Sequence, residues 1–84
     1  MKYTVVWKAA AEEELAQMWL DAADRSAVTV AANGIDRLLA AKPEEQGESR
    51  SGATQGMFIH PVGAFFDVSE EDRVVSVLRV WRVP

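Results

Sequence analysis

The run from Arg73 to Val83, "RVVSVLRVWRV", constrains this chain more than any other stretch. It alternates as a β-strand does, and its first half is apolar on both faces. Regular alternation puts Val75, Val77, Arg79 and Trp81 on one side and Val74, Ser76, Leu78, Val80 and Arg82 on the other. A strand of that kind needs cover on both faces, either from the middle of a sheet or from a second polypeptide. A domain of this size buries only about 60–65% of the surface its unfolded chain exposes, so a partner chain would help it. Arg79 and Arg82 are an odd number of residues apart, which sends them to opposite faces unless the strand bends or bulges between them.

The rest of the sequence supplies the cover. "YTVVW" (3–7) reads as a first strand with Tyr3, Val5 and Trp7 on one face. The period then changes. Leu15, Met18, Trp19 and Ala22 form one helical stripe, and Glu12, Glu13 and Glu14 stand in the early turns, where the helix dipole favours negative charge. Asp24 or Ser26 reads as the N-cap of a second helix over about 26–41, with Val28, Ala31, Ala32, Ile35, Leu38 and Leu39 as its stripe. Gly34 interrupts that stripe, as expected where another element packs closely, and Pro43 stops the helix. Residues 43–56, "PEEQGESRSGATQG", read as a loop or a weak edge strand. "MFIHP" (57–61), "GAFFDV" (63–68) and residues 73–83 then read as three strands, each antiparallel to the next across a short connection.

The order strand, helix, helix, strand, strand, strand implies a single α+β domain over residues 1–84, a two-layer fold with the helix pair packed on an antiparallel sheet. Pairing of the first strand with the last is one plausible arrangement, since both are strongly apolar.

Charge and composition exclude several function classes. The net charge is −4 and no basic run exists, which argues against a module that holds nucleic acid by broad charge attraction. There is no cysteine and one histidine, so no typical transition-metal set can be completed. Gly52 and Gly56 are not followed by the lysine of a phosphate-binding loop. No cofactor is expected. The opening "MKYTVVWKAA" runs straight into glutamates, unlike a signal peptide or a membrane span, so a cytoplasmic protein is expected.

"YTVVWKAAAEEELAQMW", "AVTVAANGIDRLLAAKP" and "DVSEEDRVVSVLRV" together resemble the RelE/ParE-type toxins of bacterial toxin–antitoxin pairs, in order and over nearly the whole chain. The resemblance implies a RelE/ParE-like fold and a cognate antitoxin as partner. It also implies one of two actions. RelE-like members cleave mRNA on the ribosome without a metal; ParE-like members inhibit DNA gyrase. Both actions occur on one fold, so fold does not choose between them. A homodimer is a further possibility.

For RNA cleavage, a 2′-hydroxyl must attack the neighbouring phosphate, which calls for proton transfer and for positive charge over the phosphate. Arg79 is the main candidate, since a guanidinium can hold a phosphate with two parallel hydrogen bonds. Its bland alternative is an ion pair with Asp67 or Glu70 across the hairpin. Arg82, His60 and Arg50 are weaker candidates, with Glu48 beside Arg50. His60 is the one histidine, the residue type suited to a proton shuttle, yet a lone histidine at a strand end is more often a surface residue. No basic residue lies between Ala53 and Ile59, and "GAFFDV" lacks the arginine common on the middle strand of the ribonucleases it resembles. The alternative is therefore a non-catalytic ParE-like member that binds DNA gyrase, or an inactive member of the family that acts only as a protein-binding module. Trp7, Trp19, Phe58, Phe65, Phe66 and Trp81 could stack on a ligand, although most aromatic rings in so small a domain belong to the core.

Overall fold

The computed structural model describes residues 2–46 and 54–84 in full and residues 48–51 by their backbone. Strand β1 is Thr4–Trp7, helix α1 Ala9–Asp21 and helix α2 Arg25–Ala41. A short 3-10 turn at Pro43–Glu45 leads to β2 (Glu48–Ser51), β3 (Thr54–Ile59), β4 (Val62–Ser69) and β5 (Val74–Arg82). The strands form one sheet in the order β1-β5-β4-β3-β2, with both helices on one face. This is the two-layer α+β fold the order of elements implied. The stretch expected as a loop or weak edge strand supplies β2 at the sheet margin.

Two features go beyond the antiparallel expectation. β1 does pair with β5, but in parallel, so the sheet is mixed. The reason is geometric. Two antiparallel helices between β1 and the later strands return the chain to its starting end, and the three-strand meander that follows then brings β5 back alongside β1 in the same direction. β1 is also short. Its pairing ends at Trp7 with Val77, and Lys8 N–H donates to the Val77 carbonyl at 2.9 Å just before α1 begins.

The second feature is a bulge. Phe66 pairs with Val77 and Phe65 with Arg79, so Leu78 is an extra residue on β5. The bulge resets the alternation. Val75, Val77 and Val80 all face the helices and are buried. The uninterrupted alternation read from the sequence, which grouped Val80 with Leu78, is corrected here. One extra residue is enough to move a side chain to the other face.

The core lies between the helices and the sheet. Ala11 and Met18 from α1, and Val28, Ala31, Ile35 and Leu39 from α2, meet Met57, Val62, Ala64, Phe66, Val75, Val77 and Val80. Asp24 caps α2 as expected, its carboxylate accepting from Ala27 N–H at 3.2 Å. Gly34 explains itself: a Cβ there would stand 2.9 Å from Ile59 Cδ1, so the close neighbour of α2 is the sheet. Leu38, placed on the α2 stripe by periodicity, is 39% exposed, at the stripe's edge.

Candidate functional site

The face of the sheet away from the helices carries the most unusual surface. On the helix side β3 and β4 present Met57, Ile59, Val62, Ala64, Phe66 and Val68. The outer face therefore receives the alternate residues. Register aligns these in two rows across the three strands. One row is Phe58, Gly63 and Trp81; the next is Gly56, Phe65 and Arg79. Phe65 and Trp81 contact each other with ring centroids 4.5 Å apart and planes tilted by 37°. Gly63 makes room for this, since a Cβ there would collide with the Trp81 indole. Phe58 is 64% exposed on the other side of Gly63. The result is an aromatic strip with glycine between its rings and an arginine at one end.

Arg79 occupies that end, but its guanidinium is engaged. Nε donates to Glu14 Oε2 at 2.8 Å and Nη2 to the same oxygen at 2.5 Å. The other carboxylate oxygen accepts from the Val80 backbone N–H at 3.0 Å. The cause lies in β1. Beyond Val77 the β1 side of β5 has no strand partner, and the Val80 N–H points out of that edge, where α1 runs past. An unpaired backbone donor seeks an acceptor, and Glu14 supplies it. The Arg79 hydrogen bond, helped by the one from Val80, holds the Glu14 carboxyl below the usual carboxylate range against the opposing effect of burial. The Arg79 pKa is raised in turn, first by its hydrogen bond to Glu14.

The expected partners of Arg79 are committed elsewhere. Asp67 accepts from the Thr54 hydroxyl at 2.9 Å, and Glu70 accepts from the Tyr3 hydroxyl at 2.7 Å. The Tyr3 pKa is raised chiefly by that hydrogen bond. Arg79 does form an ion pair, but with a helix residue 65 positions away rather than across the hairpin. Glu14 does more than favour the helix dipole. Its spacing from Ala11 and Met18, both buried, puts it on the inward stripe of α1, and that was the available signal.

The other candidates do not converge on Arg79. Arg82 pairs with Val62 in register, on the helix side, and is exposed beside Gln17 and Asp21 of α1. The bulge precedes both arginines, so they diverge as their spacing implied. His60 is exposed in the β3–β4 turn, whose His60–Pro61 peptide is cis. Arg50 and Glu48 are on β2, where the side chains lie outside the described residues. Phe66, considered for stacking, is fully buried. Among the described residues, no group of three or more histidine, acidic or cysteine side chains is placed to hold a metal. No helix among them is long and apolar enough to cross a membrane.

A second concave surface lies between the helices. A cleft of about 540 Å³ is lined by Trp7, Leu15, Trp19, Val28 and Ala32, with Glu12 and Asp36 at its rim. Trp7 Nε1–H donates to Asp36 at 3.3 Å, and the Arg25 guanidinium lies 4.8 Å from the Trp19 ring centre. Trp7 and Trp19, both considered for stacking, are thus walls of this cleft.

No family model matches the sequence, and no curated protein matches it. Solved structures do match the fold. The toxin–antitoxin complex RelBE2 from Mycobacterium tuberculosis superimposes with a TM-score of 0.80 at 18% identity, covering 98% of this chain and 92% of that one. The chromosomal ParDE system from Pseudomonas aeruginosa gives 0.74 at 15% identity, covering 99% and 98%. The archaeal RelE–RelB complex from Pyrococcus horikoshii OT3 gives 0.70 at 12% identity, covering 98% and 96%. The chain therefore shares the fold of these RelE and ParE structures.

Proposed function

We propose that this chain is the toxin component of a toxin–antitoxin module and that it inhibits growth by binding a protein target, in the manner of the ParE-like members, rather than by cleaving RNA. The observation that carries the choice is the outer sheet face. Its middle strands present an aromatic strip, and Arg79, the one cation in the register rows of that strip, is already bound to Glu14. A ribonuclease face must hold consecutive phosphates, and that calls for several cations. An aromatic strip with one exposed charge at its end suits a protein contact. DNA gyrase is the target that the ParE resemblance names.

The antitoxin is proposed to occupy the cleft between α1 and α2. Its apolar walls fit one face of an amphipathic helix, and Glu12 and Asp36 at the rim favour basic residues along that helix. The fold match to toxin–antitoxin complexes supports a partner of this kind.

Tightly induced expression in a bacterial host tests the proposal, with growth, primer extension on mRNA and plasmid supercoiling followed in the same cultures. Arrest with intact mRNA is expected, relieved by Trp81→Ala and weakened by Arg79→Ala, with mRNA intact in every case. New mRNA 5′ ends that vanish with Arg79→Ala would establish the ribonuclease reading instead. Normal growth with abundant soluble protein would sink the toxin reading in that host.

A further inference from the structure

The contact between Glu14 and β5 has the form of a ligand site with its ligand supplied from within. Three donors converge on one carboxylate: Arg79 Nε and Nη2 on Oε2, and the Val80 N–H on Oε1. The same residues, with Phe65 and Trp81, line a shallow open cavity at the end of the aromatic strip. The Arg79 side chain is 63% exposed although it is paired. The guanidinium therefore faces solvent beside two rings, where a group from outside can reach it.

We infer that the Arg79 guanidinium and the Val80 N–H form a docking site for an acidic side chain of a partner protein, and that Glu14 occupies this site in the free chain as an internal competitor. The occupant is a carboxylate because the site is seen to fit one: its donors address two coplanar oxygens. An apolar or aromatic residue next to that carboxylate in the partner would lie on Phe65 and Trp81. Nucleic acid fits less well. One cation cannot follow a chain of phosphates, and Asp67 lies on the same face. Charge on the partner and charge on the site are complementary only once Glu14 has moved aside.

This competition sets the behaviour of the site. An intramolecular carboxylate acts at high effective concentration, so acidic partners bind the free chain weakly. Loss of the Glu14 charge frees the guanidinium without removing any donor. The inference rests on reading the outer face as a protein-binding surface. It is testable on the purified chain without any growth phenotype, so a positive titration with no growth arrest would sink the toxin reading alone.

The test compares the wild-type chain with Glu14→Gln. The probes are a labelled Gly-Gly-Leu-Glu-Phe-Gly-Gly peptide, its glutamine counterpart and a labelled oligoribonucleotide. Binding is read by fluorescence anisotropy and by the Val80 amide and Arg79 Nε–H resonances. Glu14→Gln should bind the glutamate peptide about tenfold or more tightly than wild type. Both resonances should shift, the glutamine peptide should not bind, and adding Arg79→Ala should abolish the gain. Equal binding of the two peptides, or no gain in Glu14→Gln, overturns the inference. So does an oligoribonucleotide that displaces the peptide at lower concentration. If Glu14→Gln does not fold, the wild-type titration decides: a Val80 shift with the glutamate peptide alone supports the site, and no shift at saturation overturns it.

Discussion

Glu14 on α1 and Arg79 on β5 are joined by a 2.5 Å contact, and the same carboxylate takes the Val80 N–H where β1 has ended. One side chain thus finishes a sheet edge and neutralises the cation at the end of the aromatic strip. The pair has a pH signature. The Glu14 carboxyl is depressed in the folded chain. Its contribution to stability is therefore complete above the ordinary glutamate value of about 4.3 and is lost as pH falls through the lower native value. Melting temperatures measured from pH 7 down to pH 2 should fall more steeply in the wild type than in Glu14→Gln, with the difference confined to the acid end. Parallel curves would show that the pair contributes nothing to stability.

Gly63 is predicted to be intolerant of alanine. A Cβ at that position collides with the Trp81 indole, a ring already in contact with Phe65. Overpacking of this kind costs about 1–3 kcal/mol. A drop in melting temperature of roughly 4–8 °C for each kcal/mol is expected in a domain of this length. The near-ultraviolet circular dichroism of the aromatic pair should change with it.

Ile35 is fully buried at the centre of the contact between α2 and the sheet. Ile35→Ala should destabilise by about 2–5 kcal/mol, through lost burial and the cavity left behind. Urea denaturation should show a lower midpoint with an unchanged slope. A cost below about 1 kcal/mol would mean that α2 can collapse onto the sheet.

Asp24→Ala removes the acceptor for the Ala27 N–H at the start of α2. The expected loss is about 1 kcal/mol. Asp24→Ser should recover most of it, which separates capping from a general effect of charge.

Phe58 carries the opposite expectation. It is 64% exposed, so Phe58→Ser should leave stability within about 0.5 kcal/mol of wild type. Growth arrest by the expressed chain should nevertheless weaken, because the substitution removes one ring from the proposed contact surface. A large stability loss would place Phe58 in the fold rather than in the site.

The sequence by itself determined what depends on near neighbours. The α2 stripe, the Asp24 cap, the stop at Pro43 and the three C-terminal strands follow from periodicity, capping and turn chemistry within a few residues, and the structure has them all. The RelE/ParE-like fold that three sequence motifs implied agrees with the fold match. Tertiary structure decided the rest. The parallel direction of β1 depends on how two helices return the chain, and no local pattern encodes that. The bulge at Leu78 arises from pairing with β4, and it moved Val80 into the core. Arg79 showed the limit most clearly. Nearby carboxylates were its natural partners in sequence, but Tyr3 and Thr54 had taken Glu70 and Asp67. Its partner became Glu14, because a strand that ends early leaves a bare N–H and the nearest helix must answer it. Local propensity writes the elements; the hydrogen bonds left over at their ends are settled only when the elements meet.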